Sequence, residues 1–396
     1  MEPVLSNRIQ SLSTSQTIAM AERAAELKAQ GVNIISLSLG EPDFDTPQYI
    51  VEAAKKAMDN KFFKYPPIVG FKDVREAIVR KLKRDNNLTY NIDQIVVSNG
   101  SKQSIFNAAM VLVSPGEEVI LPSPYWVSYF EIVKLVGGVP VPVKTSIEND
   151  FKITPKQLEN AISPQTKLMI FNTPSNPSGS VYTKEELEAL GEVIKKHPQL
   201  YVISDEIYEY INFSGDFSSF AEIKEIKDRV ITINGVSKAF AMTGWRVGYM
   251  AAHPTIAKAC EKIQSQVTSG ANSIAQKATI AALDNGKEKI QYMIDAFDKR
   301  RKLVYELLKD IPGFKANMPT GAFYFFPDVS DFFGKTFKGV KINNATDLSL
   351  YLLEEAKVAT VTGEAFGNPE CLRFSYATST EELKEAFNRL KKALKF

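Results

Sequence analysis

The sequence predicts an α/β protein: a large domain built on a mostly parallel, seven-stranded sheet covered by helices, with a smaller α+β domain beside it. Three observations carry this. Between Ile95 and Ala251, seven short β-branched runs alternate with longer helical patterns. Most of the runs are continuously apolar rather than alternating, as parallel strands covered on both faces require. Beyond Asp284 the pattern changes to one long amphipathic stretch followed by short mixed elements, which suits a second domain.

In chain order, the alanine- and leucine-rich stretch from Ile18 to about Gln30 has helical spacing and stops at Gly31, a residue suited to the position just past a helix end. NIISLSLGEPDFDTP reads as a strand running into a loop at Gly40, with Pro42 and Pro47 preventing continuation. The expected strands of the large sheet lie at 95–98, 118–122, 139–143, 167–172, 201–206, 230–235 and 246–250. Helical stretches follow Lys102 and Tyr125, and another spans Thr183 to His197, where Thr183 and Glu186 have the spacing of a capping box. KEKIQYMIDAFDKRRKLVYELLKDIPG predicts one helix of more than twenty residues, its core face formed by Ile290, Met293, Phe297, Val304 and Leu307 and its end marked by Pro312-Gly313. GAFYFFPDV (321–329), a helix over 348–357, the strands VATVTG and CLRFSYAT, and a helix from Thr380 to Lys395 with acidic Glu381 and Glu382 in its first turn complete the chain. The expected division is 1–45 as an N-terminal arm and helix joining the small domain, 46–285 as the large domain, and 286–396 as a connecting helix and C-terminal small domain. No repeat, low-complexity tract or long Gly/Ser linker separates them, so close apposition is expected.

Composition narrows the function. The chain has 396 residues, 44% of them hydrophobic, enough for a large core. Lys and Arg number 48 against 46 Asp and Glu, interspersed to a net +2, without the concentrated positive field of a nucleic-acid binder. Two cysteines, Cys260 and Cys371, and two histidines supply neither a disulfide framework nor a histidine-rich metal site. The N-terminus carries acidic Glu2 and no apolar export segment, and no run reaches membrane-spanning length. The expectation is a soluble, cytoplasmic protein.

Polar residues that interrupt the strand ends point to chemistry. Lys238 follows the apolar run VITING directly, among Ser237, Ala239, Phe240 and Met242, with Arg246 eight residues on. A lysine so placed has a depressed pKa and can serve as an amine nucleophile that forms a Schiff base; the alternative is a snorkelling surface lysine. Asp205 ends another apolar run with Tyr208 three residues later, so both reach the carboxyl edge of the sheet, where open α/β folds bind ligands. A carboxylate there can pair with a protonated ring nitrogen and a phenol can donate to a nearby oxygen; a helix cap and a packed tyrosine are the structural alternative. FNTPSNPSG (171–179) is a rigid loop that holds the Asn172 or Asn176 amide at a third strand end. Gly100, Ser101 and Lys102 join a strand to a helix and can surround a phosphate, while the absence of GxxxxGK[ST] and GxGxxG argues against a nucleotide. Trp126 offers a flat face for a planar ring, unless it is core. Arg373 sits inside the strand pattern CLRFSYAT, where its fork needs either an internal carboxylate or that of a ligand.

The segments VSKAFAMTGWRVG, SDEIY, NTPSNPSG and LRFSYA together resemble the class I aminotransferases of pyridoxal-phosphate fold type I, and more narrowly the bacterial and archaeal subgroup of aspartate aminotransferases. The likeness runs from LSLGEPDF (37–44) to the C-terminal helix in the family's order and spacing. It implies pyridoxal 5′-phosphate as cofactor, anchored by Lys238, which later moves a proton. By the same resemblance Asp205 bonds the pyridine nitrogen, Tyr208 and Asn176 the ring oxygen, and Trp126 stacks on the ring. Ser101, Lys102, Ser237 and Arg246 hold the phosphate, joined by Tyr65 from a neighbouring subunit of a homodimer with shared sites. Arg373, Asn176 and the Gly40 backbone bind the substrate carboxylate. The implied reaction is ping-pong transamination of L-aspartate with 2-oxoglutarate. One departure stands out: animal and enterobacterial relatives use a second arginine, contributed across the dimer, for the distal carboxylate, and none matches it within 264–276. Ser13, Ser15, Thr17 and Ser269 are the remaining polar candidates, and aromatic or prephenate transamination stays open, as do a lyase and a non-catalytic cofactor-binding protein.

Overall fold

The computed structural model describes residues 4–395; Met1–Pro3, including the Glu2 noted above, and Phe396 lie outside it. Its centre is a seven-stranded sheet in the spatial order Ile95–Ser98, Gly248–Ala251, Val230–Gly235, Tyr201–Asp205, Thr166–Asn172, Glu118–Ser123, Val139–Lys144. Six strands run parallel, and Gly248–Ala251 runs against both of its neighbours. The cause is the short link before it. Residues 236–247 hold turns but no α-helix, too little chain for a parallel crossover. The reversal matters for the site, because it leaves both ends of that link, with Lys238 and Arg246, at one edge of the sheet. The expected strand at 246–250 accordingly starts at Gly248, since Arg246 has φ +57° and cannot extend it.

Both faces of the sheet are buried. Val96, Leu168, Ile203 and Ile231 pack against Ile105, Ala108, Val133 and Cys260 from the helices Ser101–Leu112, Val127–Leu135 and Pro254–Val267. Val97, Met169 and Val202 face Ile78, Leu190 and Ala278 from Lys72–Asn86, Lys184–Lys196 and Ser273–Asn285. The capping box is present, Thr183 accepting from the Glu186 N–H and Glu186 from the Thr183 N–H. Val139–Lys144 departs from the doubly covered pattern: it lies at the sheet edge with its residues partly or largely exposed, where Pro140 and Pro142, lacking N–H donors, are tolerated.

The long helix is shorter than the sequence suggests, a 3₁₀ turn Lys287–Ile290 leading into an α-helix Gln291–Lys309. Its buried face is Met293, Ile294, Phe297, Arg300, Val304 and Leu308; Leu307 is only half-buried, because the register established from Gln291 turns Leu308 inward. Arg300 is buried because Asp43 receives its fork at 2.6 and 2.8 Å. The helix expected over 348–357 is α from Ala345 to Tyr351 and continues as a π turn, Leu352–Ala356. VATVTG divides between two sheets. Val358–Ala359 pairs in parallel with Ile35–Ser36, and Val361–Thr362 pairs antiparallel with Leu372–Ser375, which also joins Tyr324–Phe325. Ala24 and Leu27 of the helix Gln16–Ala29 pack on Leu353 and Ala359, tying the N-terminal segment to the end of the chain. The last helix, Thr380–Ala393, is capped by Ser379, which accepts from the Glu382 N–H at 3.1 Å.

Candidate active site

A pocket of 310 Å³ opens at the carboxyl edge of the parallel strands. It gathers Gly40, Ser101, Lys102, Trp126, Asn172, Asn176, Asp205, Tyr208, Ser237, Lys238, Arg246 and Arg373, contributed by segments more than three hundred residues apart in the chain. Every residue that the resemblance places in the site lines it except Tyr65, which is 94% exposed and elsewhere; Gly100, beside Ser101, is not among the lining residues. Of the polar candidates for distal recognition, Ser15 and Thr17 line the pocket, and Ser13 and Ser269 do not.

Asp205 closes its strand as a fully buried carboxyl. Oδ2 accepts from the Tyr129 hydroxyl at 2.6 Å and Oδ1 from the Ile207 N–H at 3.3 Å. Burial raises its pKa to about 6, against the lowering effect of those bonds and of the Lys238 charge. A positively charged partner at the remaining lone pairs would relieve the desolvation, so the site favours a protonated nitrogen there. Tyr208, three residues on, exchanges a 2.8 Å hydrogen bond with the Tyr324 hydroxyl, and burial pushes its phenol well above the ordinary value.

The Lys238 ammonium is enclosed at the pocket floor and donates to the Gly40 carbonyl at 2.5 Å. Burial lowers its pKa to about 8; the Arg373 and Arg246 charges act in the same direction, while Glu41 and Asp205 oppose them. An amine at that pKa is about one-tenth unprotonated at pH 7, several hundred times the fraction at the ordinary value, and the unprotonated form is the one that attacks a carbonyl.

On the anion side, glycines let the backbone pack closely against Ser101 and Arg246. Gly100 has φ +82°, and a Cβ there would strike the Arg246 guanidinium; one on Gly235 would meet Ser101 Oγ at 2.8 Å, and one on Gly248 would meet the Ser101 backbone. Arg246 spends its donors on carbonyls, those of Thr243 at 2.9 Å and Asn99 at 3.3 Å, and neither it nor Lys102 pairs with a carboxylate among the described residues. Burial and the Arg246 charge lower the Lys102 pKa, and its ammonium stands 4.7 Å over the Trp126 ring. Two unneutralised cations at the start of the helix Ser101–Leu112 make an anion cradle.

Opposite lies Arg373, 1% exposed. It donates to Asn176 Oδ1 at 3.0 Å and to the Ser38 carbonyl at 2.5 Å, sits 4.7 Å over the Tyr324 ring, and keeps its Nε without a partner. No internal carboxylate answers it among the described residues, which removes the structural alternative considered from sequence.

Sequence reasoning missed Tyr129, Tyr324 and Thr243. Tyr129 had a signal: it stands three residues after Trp126 at a helix start, hence on the same face, and the rings meet edge-on at 5.4 Å. Tyr324 lies in an aromatic run, GAFYFFP, that gives no hint which ring faces a ligand.

Comparison with known proteins completes the description. A family model described as aminotransferase class I and II matches residues 32–390. A bifunctional aspartate aminotransferase and glutamate/aspartate-prephenate aminotransferase of Petunia hybrida is 47% identical, over 98% of this chain and 82% of its own length. An aspartate/prephenate aminotransferase of Nitrosomonas europaea is 46% identical, over 98% of each chain. The crystal structure of the aspartate aminotransferase from Rhizobium meliloti superposes with a TM-score of 0.96 at 41% identity, covering 99% of both chains.

Proposed function

Because the chain belongs to the class I and II aminotransferase family, we propose that it transfers the amino group of L-aspartate to 2-oxoglutarate, giving oxaloacetate and L-glutamate in two successive half-reactions. The observation that carries the reading is Arg373, a buried guanidinium that lines the same pocket as Lys238 and Asp205 and has no carboxylate partner among the described residues. The choice of aspartate draws on the relatives, whose names all include it.

The family works with pyridoxal 5′-phosphate, and the pocket fits it: the cradle of Ser101, Lys102 and Arg246 suits a phosphate, the buried Asp205 a protonated ring nitrogen, and the Arg373 guanidinium, without an internal carboxylate, a substrate carboxylate. When bound, this cofactor supplies the carbonyl that exchanges amino groups and a ring that withdraws electrons from the substrate Cα. Lys238 would hold it covalently, and its amine, once free, would take the proton from the substrate Cα and hand it back. Asp205, fixed by Tyr129, keeps the ring nitrogen protonated. Tyr208 and Asn176 donate to the ring oxygen, and Trp126 covers the ring face. Ser101, Lys102, Ser237 and Arg246 grip the phosphate. Arg373, with Asn176 and the Gly40 backbone, orients the substrate so that the Cα–H bond is the one broken.

A homodimer with shared sites belongs to the same reading, with Tyr65 reaching the phosphate of the partner. Its support is the 94% exposure of Tyr65 beside Phe63, itself 68% exposed. The division at 45 and 285 is supported by the Ile35–Val358 pairing, which joins the N-terminal arm to the C-terminal part. A cytoplasmic location is consistent with two buried, unbridged cysteines.

A second reading, transamination of prephenate or aromatic acids on the same framework, is favoured by the uncharged pocket wall at Ser15, Thr17 and Ile18 and by relatives named for prephenate transamination. The test is to add single amino acids to the cofactor-loaded enzyme and follow its visible absorbance. L-Aspartate alone should convert the band and release one equivalent of oxaloacetate, and 2-oxoglutarate should restore it. Ammonia and pyruvate as products, or an unresponsive band, would overturn the proposal. Faster conversion by arogenate or phenylalanine would favour the second reading.

A further inference from the structure

A buried charged network stands behind the Tyr208 turn, outside the pocket. Lys81, on the helix Lys72–Asn86, is 1% exposed, a burial that lysines reach only when paired. Its ammonium is bonded to Glu209 Oε1 and donates to Asn86 Oδ1 at 2.6 Å. Asn86 Nδ2 donates in turn to Glu209 Oε2 at 2.8 Å, so both oxygens of Glu209 are held. One residue on, the Tyr210 hydroxyl donates to Asp85, which Arg84 grips at 2.6 and 2.9 Å. The Lys81 ammonium lies 5.2 Å from the centre of the Tyr210 ring, and that ring meets Phe240 edge-on at 5.7 Å, two residues beyond Lys238.

The segment 206–211 is neither helix nor strand. Its ends are tied to neighbouring segments, the Glu206 N–H donating to the Ile233 carbonyl at 2.9 Å and the Ala322 N–H to the Ile211 carbonyl at 2.8 Å; between those ties the backbone bonds are Glu209 N to Glu206 O, 3.0 Å, and Ile211 N to Tyr208 O, 2.8 Å. With no ladder between the two ends, the direction in which the chain leaves Tyr208 is set in part by where the next two side chains are pinned. A buried ion pair is a poor device for stability, since desolvation offsets the attraction and packed apolar side chains of equal volume do as well. Its directional bonds do specify geometry.

We infer that Lys81 and Glu209 are a positioning pair for the Tyr208 hydroxyl, acting through the 208–210 turn. The inference rests on the reading of Tyr208 as donor to the cofactor's ring oxygen. A hydroxyl donating there favours the deprotonated form of the cofactor–lysine unit, so loosening it raises the pH midpoint of the visible band.

The test compares cofactor-loaded Tyr208→Phe, Lys81→Met/Glu209→Gln and the three changes combined, with Tyr210→Phe as a milder variant that keeps the ring and loses only its bond to Asp85. Tyr208→Phe sets the full upward shift of the midpoint. The Lys81/Glu209 double variant should move it the same way by roughly 0.5 pH unit or more, and should add nothing in the Tyr208→Phe background, the non-additivity of groups acting as one. Tyr210→Phe should give a smaller shift of the same sign. Parental midpoints in the double variant and in Tyr210→Phe, with only a lowered melting temperature, would overturn the inference and leave the site reading intact. An unmoved midpoint in Tyr208→Phe itself would overturn the site reading and the inference with it.

Discussion

Replacing Arg373 by lysine tests the substrate clamp most sharply. The guanidinium is buried, has no internal carboxylate and already gives two bonds to neutral acceptors, Asn176 Oδ1 and the Ser38 carbonyl. A substrate carboxylate would therefore be its first ionic partner, met in a desolvated site by a planar fork that lysine cannot reproduce. Degrading such a pair costs roughly 2 to 5 kcal/mol, which corresponds to roughly a 30-fold to several-thousand-fold loss in kcat/KM. The α-carboxylate is common to all amino acids, so steady-state kinetics with aspartate, glutamate and phenylalanine should show the same factor for each. Thermal unfolding of the same variant provides the control. A loss confined to the two dicarboxylic substrates would put Arg373 at the distal group, and an unchanged KM with a lowered melting temperature would make it a structural residue; either result refutes the argument.

Three further outcomes follow from the site. Borohydride reduction of the loaded enzyme should leave the pyridoxyl label on Lys238, and in the cofactor-free chain reductive methylation of Lys238 should titrate near pH 8 rather than at the ordinary 10.5; a label on another lysine removes the anchor. Because burial raises Asp205 to about 6 from 3.8, the folded cofactor-free chain holds a proton that the unfolded chain has lost, so this group's contribution to stability falls as pH rises from about 4 to about 6, by on the order of 3 kcal/mol. Asp205→Asn should flatten that part of the stability profile and cost transamination more than Asp205→Glu does, and an unchanged profile in denaturant titrations would contradict the burial argument. Gly100→Ala forces a side chain at φ +82° against the Arg246 guanidinium, and equilibrium dialysis should show cofactor affinity lowered roughly tenfold or more; unaltered affinity would mean that the cradle is not the phosphate site.

Much of the molecule was legible because it is written in local pattern. Continuous apolar runs separated by amphipathic stretches predict a covered parallel sheet, and the polar residues that interrupt those runs, Asn172, Asp205 and Lys238, predict where a site lies, since a sheet delivers its strand ends to one edge. The exceptions are decided by connection length, by helix phase or by contacts between distant segments. The reversed strand Gly248–Ala251 follows from the length of its connection rather than from its composition, which resembles that of its parallel neighbours. Leu308 displaces Leu307 from the core because the helix takes its phase from where it starts against the rest of the protein. Tyr129 meets Asp205 across 76 residues and Tyr324 meets Tyr208 across 116; the spacing from Trp126 puts Tyr129 on the right face but does not name its partner, and nothing local distinguishes Tyr324 from a packed tyrosine. The same holds for Arg373: the sequence by itself shows an arginine in a strand that needs a partner, while only the folded chain, by bringing Asn176 and Ser38 to it and no carboxylate, leaves its charge for a ligand. Backbone preference and burial act over a few residues and determine element type; which side chains then face one another is a property of the packed whole.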